Sequence, residues 1–223
     1  MTAFWILIGV AAVAALVDWV AVARDDRRVE YAAKPAVLVA LTLAAVVLPA
    51  AHTHLVDRRW WFVAALVCSL AGDVLLMVPR DLFVPGLSAF LAGHVLYIVG
   101  LLQPPSPAGS PPFAFSAAGL AVAAVVVVAA AAFPATLIFR SLVRDGHRDL
   151  VAPVAVYLVA ISTMAVLAAN VGVPAALAGA ALFVVSDTVL ALNRFVRPLP
   201  HGDVAVHVTY HLAQGLLVLS LLS

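Results

Sequence analysis

Charge is what this sequence has least of. Of its 223 residues, 12 are Lys or Arg and 11 are Asp or Glu, where an ordinary soluble domain is about a quarter charged. So little charge cannot cover a water-soluble fold of this length. Cysteine is nearly missing as well: Cys68 stands alone, which excludes a disulfide within the chain and any multi-cysteine metal site. The formal net charge is only +1, so there is no general attraction for nucleic acid. The first residues lack a cationic stretch and a small-residue cleavage site, and their apolar run is too long for a signal peptide, so they read as a retained first span.

What is present is apolar: 65% of the residues are hydrophobic and the mean hydropathy is +1.15. Lipid, not water, is the solvent such a surface fits. A helix needs roughly 20 apolar residues to cross a bilayer, and segmentation on that length predicts an all-α polytopic membrane protein with eight transmembrane helices. The expected spans are 3–23, 35–51, 60–78, 84–102, 113–133, 150–170, 174–193 and 204–222. Pro35, Pro153 and Pro174 are expected in first turns, where a missing N–H costs nothing. Pro104, Pro105, Pro107, Pro111 and Pro112 form a stiff external linker. Arg24, Arg27, Arg28, Lys34, Arg80, Arg140, Arg144, Arg148, Arg194 and Arg197 are assigned to the odd loops, against Arg58 and Arg59 in the second. That bias puts the odd loops in the cytoplasm and both termini outside, in a multi-pass cell-membrane protein.

The chain also echoes itself. Gly72-Asp73-Val74-Leu75-Leu76 in the third span parallels Ser186-Asp187-Thr188-Val189-Leu190 in the seventh, and His94-x-x-Tyr97 parallels His207-x-x-Tyr210 in the spans that follow. The offsets agree to one residue, which suggests a single membrane domain over 1–223 built as two tandem four-helix units, 1–110 and 111–223.

Three acids, Asp18, Asp73 and Asp187, lie within apolar runs. An ionisable group near the centre of a span costs about 2.5–3.5 kcal/mol on insertion scales, so it needs a partner or a task. Asp73 and Asp187 are expected roughly 10 Å inside the cytoplasmic boundary at 1.5 Å per residue. Helical spacing puts Phe90, His94 and Tyr97 on one stripe, Ser69, Asp73 and Leu76 on another, and His207, Tyr210 and Gln214 on a third. Tyr157 lies at a comparable depth. Facing inward, these stripes make a polar pocket in which one carboxyl can stay neutral while another ionises. That pairing suits acid/base hydrolysis, and it equally suits a proton-coupled carrier of lipid or small solute. Asp18, beside Trp19, is expected at the interface, as are His207 and His211. The i, i+4 spacing of those two histidines is also that of helical metal ligands, which with Asp187 keeps a metal-dependent lipid hydrolase as a third reading. His52, His54, His147 and His201 are loop residues, and Trp5, Trp19, Trp60 and Trp61 fit aromatic belts. Cys68 reads as a small apolar residue, and Lys34 as a snorkelling one.

The segments SLAGDVLLM (69–77), GLSAFLAGHVLY (86–97), GAALFVVSDTVLALNRF (179–195) and YHLAQ (210–214), with Lys34-Pro35 and Tyr157, resemble the YhhN family, which includes the mammalian transmembrane-protein-86 lysoplasmalogenases. The resemblance implies an eight-span hydrolase that cleaves the vinyl ether bond of lysoplasmalogen into a fatty aldehyde and a glycerophospho-head group. It makes Asp73 and Asp187 the catalytic pair, one donating a proton to the vinyl ether carbon and the other stabilising the cation and activating water. Lys34, His94, Tyr97, Tyr157, Asn193, Tyr210 and Gln214 match its recurrent polar positions, as substrate-binding or orienting residues. Lys34 is expected to meet the lipid phosphate. His207 and His211 fall outside the family pattern. The partners implied are the lysophospholipid substrate and membrane lipid, and no cofactor or metal is implied.

Overall fold

The computed structural model describes residues 1–49, 56–103 and 117–222. Among them are eight α-helices and no strand: α1 Thr2–Ala23, α2 Arg27–Val47, α3 Val56–Met77, α4 Phe83–Leu101, α5 Ala117–Arg144, α6 Val151–Asn170, α7 Pro174–Phe195 and α8 Gly202–Leu219. All eight are long and apolar enough to cross a membrane. Short 3₁₀ turns at Arg148–Leu150 and Ser220–Leu222 precede α6 and follow α8. The expected proline linker, His52 and His54 lie outside the described residues.

Sequential helices pack as hairpins, α1 with α2, α3 with α4 and α7 with α8. The hairpins meet through α2 on α3, α4 on α6, and α8 on α1 and α2, while α5 packs mainly on α6 and α7. The centre is therefore bounded by α2, α3, α4, α6, α7 and α8. Val37, Leu38, Leu41, Leu66, Met164, Phe183 and Leu217 fill it, each at most 2% exposed. The valines of α5, such as Val125 and Val128, and those of α1 remain uncovered, as lipid-facing residues do.

Local chemistry explains most of the punctuation. Gly172 takes a left-handed φ of 73° just past the end of α6, and Pro174 opens α7 at its first position, where it has no donor to lose. Two expectations fail. Pro35 lies inside α2, because the Asp26 carboxylate accepts from the backbone N–H groups of Arg28 and Val29 at 3.2 and 3.3 Å and starts the helix at Arg27. Helix α5 does not stop at residue 133 but runs through Pro134 to Arg144. Ile138, Ser141 and Leu142 are buried beyond the proline, so tertiary packing carries the helix past a residue that weakens it. Arg140 and Arg144 are consequently helical, as are Arg27, Arg28 and Lys34 in α2 and Arg194 at the end of α7, and none of them is a loop residue.

Arg58 and Arg59 are not free loop charges either. Both are buried in the first turns of α3. Arg58 donates from Nε to the Gly100 carbonyl at 3.0 Å and from Nη2 to the Gln103 carbonyl at 3.3 Å, and Arg59 donates to the Leu48 carbonyl. They satisfy carbonyls at the C-terminal ends of α4 and α2, where helix ends favour cations.

Helices α7 and α8 approach backbone to backbone at Gly179. A Cβ there would lie 2.9 Å from the Ala213 carbonyl oxygen and 3.1 Å from the Leu217 nitrogen. Gly179→Val is expected to destabilise the bundle by about 1–3 kcal/mol, the usual cost of overpacking, and to lower its thermal midpoint in detergent. Gly9→Ala, with nothing within 4 Å of its Cβ, should not lower that midpoint and can raise it slightly through helix propensity.

Candidate active site

The turn between α7 and α8 sets the register of the site. Asn193 Oδ1 accepts from the Leu199 backbone N–H at 2.7 Å and its Nδ2 donates to Asp203 Oδ1 at 2.7 Å. Asn193 therefore fastens this turn and stands apart from the other candidate side chains. On the facing hairpin, Gly72 leaves room for the ring of Phe90, which a Cβ would meet at 2.6 Å. Asp73 and His94 thereby reach the same interior.

Asp73 is sealed. Its Oδ1 lies 3.2 Å from Lys34 Nζ and its Oδ2 accepts from the Tyr210 hydroxyl at 2.8 Å, with its side chain 2% exposed. Lys34 also sits 5.9 Å from the Tyr210 ring centre. It does not snorkel to the boundary: it is buried, and its ammonium is committed to the carboxylate.

Asp187 is the more open carboxyl, 15% exposed. Its Oδ2 accepts from the Tyr157 hydroxyl at 2.5 Å and lies 3.9 Å from His94 Nε2. His94 Nδ1 is 2.7 Å from the Phe90 carbonyl, which can only accept, so Nδ1 carries a proton. Among the described residues Nε2 has no hydrogen-bond partner, and it is buried facing Asp187. The imidazole is held edge to face between Tyr157 and Phe183, with ring centres 5.0 and 4.7 Å away. Below them, the Tyr97 hydroxyl donates to Gln214 Oε1 at 2.5 Å.

Asp187 and Tyr157 open onto a cleft of about 790 Å³, including space open to the exterior, between α4, α5, α6 and α7. Its wall is otherwise apolar: among the described residues, Tyr157, Asp187 and Thr188 supply its only polar side chains.

A second buried cluster corrects the expectation of interfacial side chains. Asp18 is fully buried, and its Oδ2 accepts from His207 Nδ1 at 2.7 Å and lies 3.8 Å from His211 Nδ1. His207 and His211 are also buried. Glu30 Oε1 is 4.0 Å from His207 Nε2. Trp19 is no simple belt residue: its Nε1 donates to His211 Nδ1 at 3.1 Å, which leaves a neutral His211 with its proton on Nε2. The two histidines thus turn to Asp18 and not to Asp187. Among the described residues, no group of three His, Cys, Asp or Glu side chains is arranged to hold a metal ion. The signal for this cluster was in the sequence, since an acid in an apolar run has to find a partner. Its partner lies 189 residues away, and spacing within one helix cannot reveal that.

The model of the YhhN family matches residues 29–221. The chain is 35% identical over 158 residues to a human protein named lysoplasmalogenase TMEM86B, covering 71% of this chain and 62% of that one. It is 34% identical over 160 residues to the lysoplasmalogenase of Mycobacterium bovis, covering 70% and 58%. The matches thus span less than two thirds of these relatives' length. No solved structure matches the chain.

Lys34 and Asp73 should depend on each other. Lys34→Met leaves a buried carboxylate without its cation and is expected to cost about 3–5 kcal/mol, whereas removing both charges of such a pair is often close to neutral. The double variant Lys34→Met/Asp73→Asn should therefore melt, in detergent, well above Lys34→Met alone.

Proposed function

The chain belongs to the YhhN family, and from that membership we propose that it is a membrane hydrolase of lysoplasmalogen, as the names of its relatives suggest. The observation that carries the reading is the apolar cleft with a single carboxyl in its wall, Asp187, backed by Tyr157 and His94. An alkenyl chain matches the cleft's apolar walls, and a vinyl ether at its polar spot needs an acid.

In this proposal the two carboxyl groups divide the work. A neutral Asp187 transfers its proton to the β-carbon of the vinyl ether, converting the C=C bond to an oxocarbenium ion. The resulting carboxylate takes a proton from a water molecule as that water adds to the cationic carbon, which gives a hemiacetal and restores the neutral acid. The hemiacetal collapses as its hydroxyl proton passes to the ether oxygen and the C–O bond breaks, releasing the fatty aldehyde and the glycerophospho-head group. The sum is addition of one water. Glycosidases pass through a similar oxocarbenium-like cation. Asp187 is assigned as the acid because it is exposed to the cleft, whereas both oxygens of Asp73 are engaged by Lys34 and Tyr210. Asp73, neutralised by Lys34 and bonded to Tyr210, holds the wall behind Asp187. Tyr157 and His94 orient Asp187, while Tyr97 and Gln214 brace α4 against α8 behind them.

Purified protein incubated with lysoplasmalogen is expected to release aldehyde, and its saturated alkyl-ether and acyl analogues are expected to yield none. Asp187→Asn should abolish release while melting close to the unsubstituted protein. Tyr157→Phe should lower kcat by roughly tenfold, the loss of one charge-assisted hydrogen bond. Full activity in Asp187→Asn would sink the scheme, and no aldehyde from any of the lipids would favour a carrier.

A further inference from the structure

The bundle end that holds the C-terminus of α7 carries a second cleft, of about 1030 Å³ including open space, beside the first. It lies among the loop before α4, the end of α5, the turn into α6 and the end of α7. Its character is opposite to that of the first cleft: Asp81, Ser141, His147, Asp149 and Arg194 line it. Two rings, Phe83 and Phe195, belong to both clefts. They meet edge to face with centres 5.3 Å apart, and the Arg194 guanidinium lies 4.2 Å from the centre of the Phe83 ring. On its other side, the apolar cleft shares Ala131, Ala135 and Leu158 with a groove between α5 and α6. Polar cleft, carboxyl-bearing cleft and apolar groove therefore follow one another as neighbouring spaces.

That order is the order of groups along a lysophospholipid. Arg194 follows Asp187 by seven residues on α7, about 10 Å along the axis at 1.5 Å per residue. In an ether lysolipid a three-carbon glycerol separates the ether oxygen from the phosphate, and two further carbons separate the phosphate from the amine of ethanolamine. A lipid whose ether bond lies at Asp187 and whose chain runs into the α5–α6 groove carries its phosphate and amine into the polar cleft. There Arg194 is paired with Asp81 at 3.0 and 3.2 Å, but the side chains are 39% and 75% exposed. Exposed pairs of this kind are weak and exchangeable. A zwitterion can replace the pair with two better-matched ones, phosphate on guanidinium and ammonium on carboxylate, and a guanidinium fork suits phosphate.

We infer that this cleft is the headgroup subsite: Arg194 binds the lipid phosphate, and Asp81 and Asp149 bind the ammonium of a phosphoethanolamine head. The inference rests on the lysolipid reading of the neighbouring cleft. It also moves the phosphate contact from Lys34, which is spent on Asp73, to Arg194.

The test uses lipids that are not cleaved, so that it stands apart from catalysis. Equilibrium binding to the purified protein in detergent is measured for radiolabelled 1-O-hexadecyl-lysophosphoethanolamine, 1-O-hexadecylglycerol and 1-O-hexadecyl-lysophosphatidic acid. The phosphoethanolamine lipid is expected to bind at least about tenfold more tightly than the alkylglycerol, and Arg194→Gln to erase most of that advantage, with Arg194→Lys keeping part of it. Asp81→Asn and Asp149→Asn should lower the advantage of the phosphoethanolamine lipid over the lysophosphatidic acid, and they decide the matter if Arg194→Gln does not fold. An advantage unchanged by Arg194→Gln, or unchanged by both carboxylate variants, overturns the subsite. Displacement by inorganic phosphate as readily as by glycerophosphoethanolamine would mark a site for free anions and overturn it too. Headgroup-dependent binding without aldehyde release from the vinyl ether lipid removes the enzymatic reading alone. Aldehyde release with headgroup-independent binding removes the subsite alone.

Discussion

A carboxylate buried among apolar helices needs its counter-charge beside it, and the contact between Lys34 and Asp73 at 3.2 Å meets that need at the centre of this bundle. Coulombic attraction is strong where the dielectric is low, yet each ion loses its hydration on burial, so the pair holds only with good geometry and further hydrogen bonds. Tyr210 supplies one such bond. Lys34 comes from α2, Asp73 from α3 and Tyr210 from α8, so one electrostatic requirement ties three hairpins together. Phe90 and Phe183 meet Tyr210 edge to face at 5.8 and 5.5 Å and add α4 and α7 to the same knot.

The pair also determines what the second acid can do. With Asp73 sealed, Asp187 is left as the carboxyl that meets the cleft, and its neighbours are groups that orient and do not neutralise it: a phenol and an imidazole. Two acids in echoing motifs thus have unlike surroundings, one sealed in an ion pair with Lys34 and the other open to the cleft beside Tyr157 and His94. Unlike surroundings are what separate the roles of paired carboxyl groups in acid/base sites.

Much of this was legible in the sequence because membrane helices obey local rules. Backbone groups in lipid must bond within their own segment, so apolar length alone located the eight described helices, and Pro174 marked the start of α7. Where the rule is not local, the reading failed. Pro134 and the length of α5 depend on Ile138 and Leu142 finding a surface on their neighbours. Asp18, His207 and His211 looked interfacial from their positions near span ends, and only the packing of α1 on α8 turns them inward. Asn193 belongs to the matching motif, yet its hydrogen bonds go to Leu199 and Asp203 in the turn.

Sequence by itself therefore determined the number of helices, their apolar faces and the short set of polar residues too costly to leave in lipid. These follow from one-dimensional quantities: hydropathy, span length and the 3.6-residue period. Tertiary structure decided which of those polar residues pair. Lys34 lies on Asp73 and not at the boundary, His207 and His211 lie on Asp18 and not on Asp187, and of the two motif acids it is Asp187 that meets the cleft. The scarcity of charge makes each such choice matter, because a buried ion has few partners to choose from, and those partners arrive from helices that only the fold brings into contact.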